Sequence, residues 1–137
     1  MHKDLQLIFN EALKVSDVDF GCAEGHRTIS RQQELYAQGR TKPGRKVTRI
    51  DGVNQMSKHN YDPSLAGDIY AWLNGKANWS ERLLIYIGGV MTATAARLLA
   101  EGRITHALRW GGNWDRDGEI VTDQEFDDLP HFELVKI

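Results

Sequence analysis

Two histidines and a few carboxylates carry most of the chemistry available to this sequence. In "SKHNYDPSLAGD", residues 57–68, His59 and Asp68 flank a Pro63-Ser64 turn, and the chain then runs into the apolar "IYAWL". Nearer the C-terminus, "DLPHFEL" holds Asp128 and His131, and far upstream "EGHRTISRQQELYAQGRTKPG" holds Arg27. Catalytic zinc takes three protein ligands from His, Asp, Glu or Cys and keeps one position for water. His59, Asp68 and His131 meet that count. The single cysteine, Cys22, rules out an internal disulfide framework, so a metal site here must rely on His and carboxylates.

A catalytic metal also needs a base beside the water that does not itself occupy the metal. Asp128 stands three residues before His131, separated by Leu129-Pro130. Proline fixes its own φ and favours an extended residue before it, which would stiffen the Asp-to-His reach. Amide hydrolysis builds negative charge on the carbonyl oxygen, and Arg27 is a group that could face it. Each residue also has a plain structural use. Asp68 could be a turn acceptor, His131 a solvent-facing strand residue, and Arg27 an ion-pair partner of Glu24 or Glu34. Spacing alone does not make the three ligands converge.

A further run, "NWDRDGEIVTDQEF", is acidic. Asn113, Asp115, Asp117, Gly118 and Ile120 match positions of a calcium-binding EF-hand loop. Gln124 stands where the bidentate glutamate belongs, with Glu125 one place late. A partial calcium site and an exposed acidic turn are the two readings.

These groups need a scaffold, and 137 residues suffice for one domain with a single core. Hydrophobic content of 41% and charged content of 26% are those of a soluble globular chain. The net charge of −2 gives no broad basic field, so nucleic-acid binding and stable membrane association are not expected. Leu83 to Ala96 is the longest uncharged stretch, but it falls short of the roughly 20 residues that span a bilayer and reads as a buried helix.

Leu5, Ile8, Phe9, Ala12 and Leu13 follow helical spacing and predict an amphipathic first helix. "DFGCAEG" reads as a short strand with Cys22 in the core. Ser30 with Gln33 forms a Ser-x-x-Gln capping box, which predicts a helix ending near Gly39. Residues 40–56 are Gly-rich and basic, with five Arg or Lys between Arg40 and Arg49, and predict a long exposed loop or ragged hairpin. "AGDIYAWL" predicts a strand. Ser80 is the expected cap of the longest helix, running to about Ala100 and stopped by Gly102. "THALRW" and "HFELVKI" are two more expected strands. The fold class is therefore α+β, with a small antiparallel sheet flanked by helices. His26 and His106 are taken as structural, and His2 as part of a fraying terminus. Glu133 shares a strand face with His131, so it could orient that side chain or stay on the surface.

Taken together, "SKHNYDPSLAGDIY", "DLPHFEL" and "GHRTISRQQELYAQGRTKPG" resemble three ordered blocks of a zinc peptidase family. That family includes D-Ala-D-Ala carboxypeptidases and the L-alanyl-D-glutamate endopeptidases of phage endolysins, and shares its fold with the hedgehog signalling domain. The resemblance covers roughly residues 20 to 137. It implies His59, Asp68 and His131 as zinc ligands, Asp128 as general base and Arg27 as the group that binds the scissile carbonyl. Ser57 and Gln33 are further candidates for substrate contact or support of the ligands. The loop between His59 and Asp68 is longer than in many relatives, and several carboxypeptidases carry Glu at the position of Asp128. The shorter acid favours the endopeptidase branch, with Asp127 as an alternative base.

The expected protein is thus a zinc-dependent peptidoglycan peptidase cutting the L-alanyl-D-glutamate bond of the stem peptide. It is expected to be a monomeric phage endolysin without a separate wall-binding domain. With no secretory signal in "MHKDLQLIFNEALK", it would be made in the host cytoplasm and reach the wall through a pore made by another protein. A D-Ala-D-Ala carboxypeptidase, a virion-associated lysin and a non-catalytic zinc-containing wall-binding module are the alternatives.

Overall fold

The computed structural model describes residues 1–119 and 127–137. Its elements run α1 (Lys3–Val15), β1 (Asp19–Glu24), α2 (Ile29–Ala37), a short 3-10 turn (Lys58–Asn60), β2 (Ala66–Leu73), β3 (Lys76–Asn78), α3 (Glu81–Ala100), β4 (Ala107–Gly111) and β5 (Asp128–Val135). The strands form one antiparallel sheet in the order β1-β2-β5-β4, with β3 paired to β2. This is the α+β arrangement that the periodicity predicts.

Alternation along the strands divides the work of the sheet. Ile69 and Ala71 of β2, Phe132 and Leu134 of β5, and Leu108 and Trp110 of β4 are buried in the core. They meet Leu5, Ile8, Phe9 and Ala12 of α1 and Leu84, Ile87, Met91, Ala95 and Leu98 of α3. α3 is long and apolar enough to cross a membrane by length and composition alone. In this fold its buried side packs on α1, β4 and β5. The intervening strand positions, Asp68, His131, Glu133 and Arg109, fall on the opposite face and are left to build a site.

Several expectations are corrected. The N-cap of α2 is Thr28, whose side chain accepts the Arg31 N–H at 3.1 Å, so the helix starts before Ser30. Ser80 is the N-cap of α3, as expected, but it makes no side-chain capping bond. Cys22 is exposed, because only Phe20 of the edge strand β1 reaches the core. His2 is hydrogen-bonded into the fold: its ring accepts the Asp4 N–H, and its own backbone N–H donates to Ser64 O at 2.8 Å. β5 begins at Asp128, three residues before the expected start of that strand.

Tight packing sets where β5 begins. Trp110 lies against Gly88 of α3, where any Cβ would collide with its indole. Its Nε1–H donates to Leu129 O at 2.8 Å. Gly111 pairs with Asp128, and a Cβ on Gly111 would run into the Asp128 carbonyl. Glycine at 111 and the indole at 110 therefore hold Asp128 where the strand opens.

Candidate metal centre

Asp68 and His131 are directly opposed across the β2–β5 ladder, so strand pairing alone puts their side chains together. His59 arrives from the 3-10 turn. Ser57 Oγ accepts the His59 N–H at 3.2 Å, and the Asn60 side chain returns to the Ser57 N–H at 2.8 Å. The turn is then tied to the segment after β1. Arg27 N–H donates to His59 O at 2.7 Å, Asn60 Nδ2 to Arg27 O at 3.0 Å, and the His59 ring lies 2.7 Å from Gly25 O through Nδ1. One backbone clamp thus fixes both His59 and Arg27.

The ligand atoms form a small triangle. His59 Nε2 is 3.3 Å from His131 Nδ1 and 3.4 Å from Asp68 Oδ1, and His131 Nδ1 is 3.2 Å from Asp68 Oδ1. Ligands at zinc–nitrogen and zinc–oxygen distances on a tetrahedron lie about 3.3–3.5 Å apart. The far nitrogens are occupied: His59 Nδ1 by Gly25 O, and His131 Nε2 by Glu133 Oε1 at 2.8 Å. With both outer nitrogens donating, and once a cation displaces the inner proton of His131, both inner nitrogens present lone pairs to one point, beside a carboxylate. That arrangement asks for a cation, and the residues present fit a metal ion.

Burial opposes charge on His131, and its bonds to Asp68 and Glu133 more than offset that, holding the ring up at about 9. Burial likewise opposes charge on Asp68, but the two histidines outweigh it and keep the carboxylate well below its ordinary range. Glu133 is held low despite burial by His131 and by Arg109, whose Nη2 is 2.6 Å away. Arg109 in turn sits 5.8 Å from the centre of the Trp114 ring, which lies 5.5 Å from that of His131.

Asp128 and Arg27 border the same cavity of about 1150 Å³. Burial pushes the Asp128 carboxyl up, with His131 pulling it down and Asp68 raising it again. Asp127 is exposed and does not line the cavity. Arg27 Nε and Nη2 donate to the two oxygens of Glu24 at 2.7 and 3.2 Å, and Nη1 to Gln32 Oε1 at 2.8 Å. Its Nη2 is also 3.7 Å from Asp68 Oδ2. The ion pair with Glu24 and a place in the site are therefore both realised. Of five N–H donors on a guanidinium, two remain uncommitted.

Ser57 is buried and works through the backbone of His59. Gln33 is exposed and away from the cavity; the buried neighbour Gln32 takes the supporting position. Sequence reasoning also missed Asn60, Arg109 and Trp114. Only Glu24 and Glu133 had a signal, from their spacing to Arg27 and His131. In the acidic run, Asn113 exchanges two bonds with Asp117, Asp115 accepts the Asp117 N–H, and Asp117 accepts the Glu119 N–H. These side chains close their own turn. Ile120, Gln124 and Glu125 lie outside the described residues.

A second cluster, His2, Asp4 and His106, lies apart from the cavity. Asp4 there accepts Thr105 N, Thr105 Oγ1 and the His106 ring at 2.9, 3.1 and 3.0 Å, and so joins α1 to the start of β4.

A His/Asp/His triangle on a sheet face, with a half-buried carboxylate and an arginine beside it, defines a candidate mononuclear metal centre. Comparison with known proteins places it further. The phage L-alanyl-D-glutamate peptidase family matches residues 1–135, and the chain belongs to that family. The chain is 31% identical over 131 residues to the peptidoglycan L-alanyl-D-glutamate endopeptidase CwlK of Bacillus subtilis, covering 86% of this chain and 62% of that protein. It thus spans less than two thirds of the length of that curated relative. Among solved structures, the L-Ala D-Glu endopeptidase ChiX of Serratia marcescens matches with a TM-score of 0.70 at 24% identity, over 98% of this chain and 80% of that one. The fold is shared.

Proposed function

We propose that the chain is a zinc-dependent peptidase that hydrolyses the L-alanyl-D-glutamate bond of the peptidoglycan stem peptide during lysis of a bacterial host. The observation that carries the reading is the triangle of His59, Asp68 and His131, whose edges match tetrahedral zinc, facing one cavity with Asp128 and Arg27. Family membership supports the choice of bond. Nitrogen and carboxylate donors suit zinc.

Bound by those three residues, zinc would supply Lewis acidity toward the carbonyl and a nucleophilic water near neutral pH. Asp128 takes a proton from the attacking water and returns it to the glutamate nitrogen as the bond breaks. Burial raises its pKa, which favours a group that must both accept and give up a proton. Arg27 keeps its guanidinium fixed through Glu24 and Gln32 and offers its remaining N–H groups to the developing oxyanion. Glu133, anchored by Arg109, holds the His131 ring in one tautomer and orientation.

The test is digestion of purified peptidoglycan by metal-stripped protein with and without added zinc, read by mass spectrometry. New N-terminal glutamate appearing only with zinc is the expected result. Released D-alanine would make it a carboxypeptidase. Stoichiometric zinc without any cleavage would leave a binding module.

A further inference from the structure

The basic stretch that follows α2 has no part in the chemistry described so far. Between residues 40 and 58 it carries Arg40, Lys42, Arg45, Lys46, Arg49 and Lys58 against one acid, Asp51, in a chain whose net charge is −2. Asp51 is occupied elsewhere: its Oδ1 accepts the backbone N–H groups of Val53, Asn54 and Gln55. Lys46, Arg49 and Lys58 line the cavity that holds the metal triangle, and none has an ion-pair partner among the described residues. The remaining cations there are engaged. Arg27 is paired with Glu24 and Arg109 with Glu133, while Arg40 lies 3.9 Å over the Tyr36 ring and donates to Tyr36 O.

This wall is fastened to the centre. Gln32, fully buried, donates from Nε2 to Ile50 O at 2.7 Å and Thr48 Oγ1 at 3.2 Å, while its Oε1 accepts from Arg27. One side chain thus links the segment bearing Arg49 to the arginine of the site. Asp128 also lines this cavity, but three unpaired cations against that one carboxylate leave a positive excess, and like charges around a concave surface focus such a potential and select an anion. On the proposed function, glutamate stands on the amine side of the scissile bond. Its chain continues through only one of its two carboxyls, so the other remains a free carboxylate beside the bond to be cut.

We propose that Lys46, Arg49 and Lys58 form an anion subsite that receives this free glutamate carboxylate. The proposal rests on the peptidase reading and adds a specificity to it.

Two synthetic stem peptides, identical except that this group is a carboxylate in one and a carboxamide in the other, provide the test. Zinc-loaded wild type should cleave the acid with a kcat/KM roughly ten- to hundred-fold higher, the range of a charge-assisted hydrogen bond. The triple variant Lys46→Gln, Arg49→Gln, Lys58→Gln should lose most of that ratio, with zinc content and melting temperature confirming its fold. Should the variant not fold, the wild-type ratio must still shrink as ionic strength rises. Equal cleavage of both peptides by wild type, or a ratio insensitive to salt and to the triple substitution, overturns the subsite and leaves the peptidase intact. Cleavage of neither peptide refutes the peptidase reading itself. An unchanged ratio with lost sedimentation on whole sacculi would assign the wall to a polymer surface and overturn the proposal.

Discussion

Gln32 offers the sharpest test of how the centre is held. Its side chain makes three bonds from a fully buried position: one accepted from the Arg27 guanidinium and two donated to Ile50 O and Thr48 Oγ1. A hydrogen bond to a charged group contributes about 1.5–3 kcal/mol and a neutral one about 0.5–1.5. Gln32→Ala should therefore cost about 3 kcal/mol, because it strands buried partners and opens space. For a chain of this size that lowers Tm by about 10 °C. Gln32→Glu separates the two roles. It keeps an acceptor for Arg27 but cannot donate to Ile50 O, so residues 48–50 should lose amide-exchange protection while the Arg27 contact survives. Gln33→Ala, one residue along on the exposed side of α2, should stay within about 0.5 kcal/mol of wild type. Thermal melting and hydrogen exchange on the three variants decide the matter. A Gln32→Ala protein that melts with wild type, or a Gln33→Ala protein that falls with it, would refute the clamp.

Other outcomes follow from the same geometry. His59→Ala and His131→Ala should lose metal and activity together. Asp128→Ala should keep its metal by elemental analysis while turnover drops by about 10²–10⁴-fold. Asp128 must be ionised to act, and burial raises its pKa. The metal-free protein should therefore titrate Asp128 above the ordinary aspartate value, and an NMR titration that finds it at or below that value would remove the support burial gives to Asp128 as the base. Glu133→Gln should weaken metal affinity by about 10- to 100-fold in chelator competition, with the fold retained. Asp4 has a lowered pKa because its bonds to Thr105 and His106 outweigh burial. Its stabilisation is thus present above the unfolded carboxylate pKa and is lost as pH falls through the lower folded value. Asp4→Asn should cost about 1–3 kcal/mol near neutral pH, and chemical denaturation should show that gap closing below about pH 4.

Much of the site was legible through the three ordered blocks that resemble the zinc peptidase family, and short-range patterning placed those blocks on strands and turns. Asp68 opens an apolar strand and His131 sits in another, and both strands could be read from their apolar patterning. Their direct pairing could not, since register depends on which strands become neighbours. Glu133 was visible through the two-residue alternation that places it beside His131. Gln32 was not. The capping-box pattern drew attention to Gln33 and Ser30, while tertiary contact with Thr48 and Ile50 decided which glutamine is buried. The same applies to Cys22, whose apolar neighbours suggest a core position that an edge strand does not provide. The spacing to His131 and the family resemblance both point to Asp128. What fixes it is the close approach of Gly111 and the Trp110 bond to Leu129 O, both long-range facts.

That close approach carries a prediction that distinguishes positioning from chemistry. Gly111 is the only residue type that fits where β4 meets the start of β5, because any Cβ there would overlap the Asp128 carbonyl. Backbone cannot yield as a flexible side chain does, so Gly111→Ala must push the opening of β5 away. His131 lies three residues further on, paired with Asp68, and Glu133 and Arg109 still brace it. The displacement should therefore fall on Asp128 and spare the metal ligands. The expected variant binds zinc with near wild-type affinity but loses turnover by a factor approaching that of Asp128→Ala. Gly88→Ala is the control: it also presses on this region, but through the Trp110 indole, and should cost about 1–3 kcal/mol of stability from overpacking. If Gly111→Ala loses metal as readily as activity, the ligands and the base are not held independently. If it keeps full activity, the position of Asp128 is not what the reaction needs.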